Sequence, residues 1–130
     1  MAFPINRMRR LRSNDTIRRM IKETELSIND FIYPLFISFG KDKKLPVESM
    51  PGVFQFSLDK LKDEITEIKS LDIPAVLLFG IPETKDSIGS SGYSDDGVVQ
   101  NAIKLIKDTC PELMVITDVC LCEYTDHGHC

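Results

Sequence analysis

Apolar and polar positions along the chain change period several times, and each change marks an element. Leu58, Leu61, Ile65, Ile68 and Leu71 recur at three- and four-residue intervals, which predicts a helix with one buried face, capped by Ser57. From about Gly97 to Thr109, Val98, Ala102, Leu105 and Ile106 repeat the pattern. Around these helices lie short apolar runs, Phe31 to Phe39, Ile73 to Phe79 and Leu113 to Thr117, which read as strands. Pro34 has no N–H to donate and argues for an edge or a break in the first, and Pro111 introduces the third. A shorter helix is predicted from Asp15 to Thr24, with Asn14 or Asp15 as its cap and Ile17, Met20 and Ile21 on one face. Strands separated by helices imply parallel pairing through right-handed crossovers. The segment from Gly40 to Phe56 reads as an unusually long loop, a length often reserved for function.

Composition narrows the class. With 130 residues, 42% hydrophobic and 28% charged, the chain has the apolar content for one core and the make-up of neither a disordered nor a fibrous protein. Its longest apolar run, Ala75 to Phe79, is far below the roughly 20 residues a bilayer needs, so no membrane partner is expected. The net charge of −4 conceals an asymmetry. Residues 1–22 carry Arg7, Arg9, Arg10, Arg12, Arg18, Arg19 and Lys22 against Asp15 alone, a local +6. No aromatic interleaving or DNA-binding motif accompanies this arm, so nucleic acid is not expected, and its charge suits an acidic protein surface. Serine is scarce and a secretory h-region is missing, so a cytoplasmic location with reduced thiols is expected. Gly89-Ser90-Ser91-Gly92 lacks the Gly-Lys-Ser/Thr ending of a phosphate loop and reads as plain loop.

The chemistry concentrates at Asp118-Val119-Cys120-Leu121-Cys122-Glu123-Tyr124-Thr125-Asp126-His127-Gly128-His129-Cys130. Should the third strand continue to Cys122, alternation puts Asp118, Cys120 and Cys122 on one face at steps of about 7 Å. Gly128 lets the following loop turn back, which would bring Cys130 to the same point and make a three-thiolate cluster. Three sulfurs without a fourth protein ligand form an open site, the arrangement of catalytic rather than structural zinc. The competing reading is reduced core or loop thiols. His127 or His129 could replace a sulfur or hydrogen-bond to a ligand from behind. Cys110, before the strand and on the order of 20 Å from Cys120 by strand rise, is expected to be an ordinary buried residue.

The stretch from Asp118 to Cys130 resembles the zinc-site signature of the porphobilinogen synthase (5-aminolevulinate dehydratase) family. Arg9-Arg10-Leu11-Arg12, Arg18-Arg19, Glu23-Thr24, Tyr33-Pro34-Leu35-Phe36, Ser49-Met50-Pro51-Gly52-Val53, Phe79-Gly80-Ile81-Pro82 and Asp96-Gly97-Val98-Val99-Gln100 resemble that family's segments in the same order. A serine usually stands where this chain has Asp126 before His-Gly-His, which alters the loop charge but not the cysteines.

The resemblance implies an α/β chain forming the N-terminal portion, about three strands with their helices, of a (β/α)8 TIM barrel. Residues 1–24 would be the basic arm and short helix, and 25–130 the first part of the barrel domain. It implies condensation of two 5-aminolevulinate molecules to porphobilinogen with loss of water, in tetrapyrrole synthesis. Cys120, Cys122 and Cys130 match the ligands of a Zn2+ ion and Asp118 an active-site acid; an additional Mg2+ site stays open. The resemblance further implies a homo-oligomer, an octamer assembled through the arm. The family's two Schiff-base lysines match none of the lysines here, so the chain alone is expected to be a catalytically inert part of the enzyme. The alternative is a standalone metal-binding or redox module using the same cysteines without a barrel.

Overall fold

The computed structural model describes residues 9–130; the first part of the basic arm, Arg7 included, lies outside the described residues. In chain order the elements are α1 (Asp15–Met20), β1 (Ile32–Ser38), β2 (Lys44–Pro46), β3 (Phe54–Phe56), α2 (Leu58–Ser70), β4 (Ala75–Ile81), α3 (Val98–Thr109) and β5 (Met114–Thr117). They build one sheet in the order β2-β3-β1-β4-β5. β1, β4 and β5 are parallel neighbours joined through α2 and α3, the crossover arrangement expected from the sequence. Ile32 pairs with Ala75 and Ala75 with Met114, so the three strands start level and end at one edge.

The core lies between the sheet and the two helices. Leu35 and Ile37 of β1, Val76 and Leu78 of β4, Leu61, Ile65 and Ile68 of α2, and Ala102 and Ile106 of α3 are buried together. The helical period selects these α2 and α3 positions, but it also selects Leu71, which is exposed at the end of α2 and lies outside the core. The opposite sheet face is also apolar: Phe36 and Phe79 are register partners with stacked rings, centroids 5.1 Å apart. Apolar residues on both faces belong to parallel sheets, which are normally covered on both sides.

Five expectations need correction. The segment from Gly40 to Phe56 is not plain loop but holds β2 and β3, with β3 parallel to β1 and β2 antiparallel to β3. Pro34 neither breaks β1 nor puts it at the sheet edge. Phe39 N–H donates to Ile81 O, so alternate residues from Tyr33 onward point their amides at β4, and Pro34 faces the other way. There β3 pairs only with Phe36 and Ile37, so no ladder bond is lost at the proline.

The first helix ends at Met20, short of Thr24, and its Met20 and Ile21 are exposed rather than packed on the core. Asn14 is its cap, accepting Ile17 N–H at 3.0 Å. Ser57 occupies the cap position of α2, yet its hydroxyl is engaged elsewhere, accepting Lys43 N–H at 2.9 Å and donating to Lys43 O. Finally, β5 stops at Thr117 instead of running to Cys122, so strand alternation does not position the cysteines.

Candidate metal centre

After Thr117 the chain leaves the sheet at the C-terminal ends of the parallel strands, tethered once more by Asp118 N–H to Leu78 O at 3.3 Å. Asp118 then turns the backbone, its Oδ1 accepting Cys120 N–H at 3.3 Å, as aspartate does in turns. A further turn closes where Tyr124 and Thr125 N–H both donate to Leu121 O. Gly128 adopts the left-handed conformation, φ +70°, that the return of the chain requires and a glycine adopts without strain.

Turn geometry therefore gathers the sulfurs. Cys122 Sγ lies 3.6 Å and Cys120 Sγ 4.0 Å from Cys130 Sγ, and the three atoms lie within 4.8 Å of one another. Three thiolates bound to one tetrahedral zinc at about 2.3 Å would stand about 3.8 Å apart, so the donor set and its spacing fit such an ion. Glu123 brings a carboxylate oxygen within 4.8 Å of donor atoms of Asp118 and Cys120, and its Oε2 is buried without a hydrogen-bond partner among the described residues. A nearby cation offsets the cost of such a group.

The thiols interact strongly. The Cys120 and then the Cys130 sulfur push the Cys122 thiol up to about 12, while bonds from Cys122, Cys120 and the Leu121 backbone pull the Cys130 thiol below its usual range. Cys130 thus ionises more readily than Cys122, whose ionisation the neighbouring sulfurs oppose. A divalent cation held among them would favour the thiolate form of all three.

The remaining candidates separate cleanly. Cys110 is buried, only 2% exposed, at the end of α3, and takes no part in the cluster. Asp118 stands exposed beside Cys120. His127 is engaged outside the sulfur trio: its Nε2 meets Ser87 O at 3.2 Å and its Nδ1 accepts His129 N–H at 3.3 Å, two contacts that agree on a proton at Nε2. The residue tethers the loop. His129 O accepts the Thr125 hydroxyl at 3.0 Å.

Sequence reasoning missed the support beneath this loop. Tyr124 and Thr125 are buried, and Tyr124 packs over Gly80 and Gly92, where added side chains would collide with its ring or hydroxyl. Asp86 N–H donates to Tyr124 O, and Asp126 N–H to Asp86 O, forming an isolated parallel bridge between two loops. The turn chemistry of Asp86-Ser87-Ile88-Gly89-Ser90 was readable locally, but its partner 38 or more residues away was not.

Comparison with known proteins agrees with this arrangement. The family model for delta-aminolevulinic acid dehydratase matches residues 5–130. The chain is 53% identical to the delta-aminolevulinic acid dehydratase of Bacillus subtilis over all 130 residues, which cover 40% of that protein. It is 52% identical over 124 residues to that of Halalkalibacterium halodurans, covering 95% of this chain and 38% of the relative. The chain thus spans about two fifths of the length of these curated relatives, their N-terminal part. The crystal structure of delta-aminolevulinic acid dehydratase (porphobilinogen synthase) from Toxoplasma gondii ME49, in complex with the reaction product porphobilinogen, superposes with a TM-score of 0.84 at 32% identity. That match covers 95% of this chain and 36% of the other, so the chain is an N-terminal portion of a TIM barrel. Matched over nearly its whole length in sequence and in fold, the chain belongs to the delta-aminolevulinic acid dehydratase family.

Proposed function

We propose that this chain is part of a zinc-dependent porphobilinogen synthase, which condenses two 5-aminolevulinate molecules to porphobilinogen with loss of water. The observation that carries the reading is the convergence of Cys120, Cys122 and Cys130 within 4.8 Å at the C-terminal ends of parallel strands, where barrel enzymes keep their active sites. The Toxoplasma relative was solved in complex with porphobilinogen, its reaction product, which supports the substrate assignment.

Bound zinc would supply Lewis acidity toward a carbonyl or hydroxyl of substrate. The three cysteines would hold it and leave a position open. Asp118, exposed beside Cys120, would accept or return a proton at its carboxylate oxygen. On this reading the amines that would form Schiff bases would be supplied by sequence outside this chain. Several lysines here are engaged otherwise: Lys60 pairs with Asp42 and Lys69 with Glu112, and these carboxylates raise both amines, opposite to what a nucleophilic lysine requires. Lys43 donates to Phe39 O and Lys107 to Leu113 O.

The exposed, basic stretch from Arg9 to Lys22 is proposed to pack on a neighbouring subunit of a homo-octamer. No helix of the described residues is long and apolar enough to cross a membrane, and a cytoplasmic enzyme is the reading adopted. The test uses the full-length protein: stripping metal with a chelator should abolish porphobilinogen formation, and zinc should restore it. Activity unchanged after complete metal removal would overturn the zinc assignment.

A further inference from the structure

The cysteines sit on a loop with little regular structure, so something must hold its two ends in register. The turn at residues 86–90 does this from outside the cluster. Asp86 Oδ1 accepts Ser90 N–H at 2.9 Å and Ile88 N–H at 3.2 Å, and the Ser90 hydroxyl donates to Oδ2. With its side chain so occupied, Asp86 offers its own backbone to the metal loop. Its N–H donates to Tyr124 O at 3.3 Å, and its carbonyl accepts Asp126 N–H at 3.1 Å. The next carbonyl, Ser87 O, receives the His127 ring at 3.2 Å.

We propose that Asp86 is a positioning residue for metal binding, folding the 86–90 turn into the template against which residues 124–127 align, so that Cys130 returns to Cys120 and Cys122. The inference rests on reading the three cysteines as ligands. Asp86 touches none of them. It acts through the order of contacts: carboxylate to turn, turn to the 124–126 backbone, and from there through the Thr125 hydroxyl on His129 O to Cys130. Tyr124, pinned between Gly80 and Gly92, fixes the near side of the loop, and the 86–90 turn fixes the far side. The Ser90 hydroxyl and N–H also hold the Asp86 carboxyl below its ordinary range, consistent with an ionised acceptor. Outer hydrogen-bond partners of this kind are typically worth 10- to 100-fold in metal affinity.

The test titrates cobalt(II) into metal-free full-length protein, because the thiolate-to-cobalt charge-transfer band reports sulfur ligation independently of catalysis. Wild type should show the band. D86A should bind cobalt about 10- to 100-fold more weakly, and D86N, which keeps an acceptor oxygen for the Ser90 and Ile88 amides, should recover most of the loss. A D86A variant as tight as wild type, or D86N as weak as D86A, overturns the role of Asp86 while the ligand assignment stands. Absence of the band in wild type overturns the ligand assignment and this inference with it. If D86A does not fold, S90A carries the test: weaker cobalt binding at an unchanged unfolding midpoint supports the proposal, and unchanged binding overturns it.

Discussion

The Tyr124 hydroxyl occupies the space that a side chain on Gly80 would need. A Cβ there would overlap the phenolic oxygen and stand 2.7 Å from Val99 Cγ2. Gly80 lies on β4 and Tyr124 in the metal loop, so the absence of a side chain on the strand lets the loop lie against the sheet. G80A is expected to destabilise the fold by about 1–3 kcal/mol, the usual cost of overpacking a filled site. Denaturant unfolding of the full-length variant measures it; an unchanged midpoint would show that Tyr124 moves aside freely.

The cysteines should divide sharply when replaced singly. C122S and C130S each remove a sulfur from the trio and should lose zinc on dialysis, whereas C110S should retain it, because Cys110 is buried at the end of α3 outside the cluster. Metal content per chain after dialysis is the readout. Zinc retained by C130S at the wild-type level would refute the three-sulfur site.

Zinc affinity should fall as pH falls. Protons held on the trio must leave when metal binds. The Cys122 thiol, pushed up to about 12 by the Cys120 and Cys130 sulfurs, makes proton release part of binding throughout the neutral range. Competition with a chromophoric chelator at several pH values should give an affinity that rises with pH, and a flat profile would argue against thiolate ligands.

The Glu112–Lys69 pair predicts a feature in acid. Lys69 beside it, at 2.8 Å, then backbone and Cys110 hydrogen bonds, draw the Glu112 carboxyl from 4.5 down to about 2. A carboxyl depressed in the folded state contributes stability above its unfolded value, here lost as pH drops from about 4.5 toward 2. Both side chains are largely exposed, so the effect is small. E112Q should flatten the acid dependence of the unfolding midpoint in that window; superimposable wild-type and E112Q curves would contradict it.

Ile65 is fully buried between α2 and the sheet. I65A should cost about 2–5 kcal/mol, the transfer loss plus the cavity left behind. The exposed Leu71, near the end of the same helix, should tolerate alanine with a far smaller change in unfolding midpoint.

Much of this protein was legible in the chain because local periodicity reports burial directly. Leu61, Ile65 and Ile68 at helical spacing, and Leu35, Ile37, Val76 and Leu78 at strand spacing, are the observed core. The parallel order of β1, β4 and β5 followed from strands alternating with helices, and the three cysteines were identifiable by residue type and proximity in sequence. What the sequence alone did not determine depends on contacts between distant segments. β2 and β3 are too short to carry a period of their own and exist because β3 finds the open side of β1 beyond Pro34. The cysteines converge through turns after Thr117 rather than through strand alternation, since Asp118 bonds the Cys120 amide instead of continuing the ladder. The pairing of Asp86 with residues 124–126, and the fit of Tyr124 over Gly80, arise only once the sheet brings β4 and β5 side by side and their loops leave the same edge.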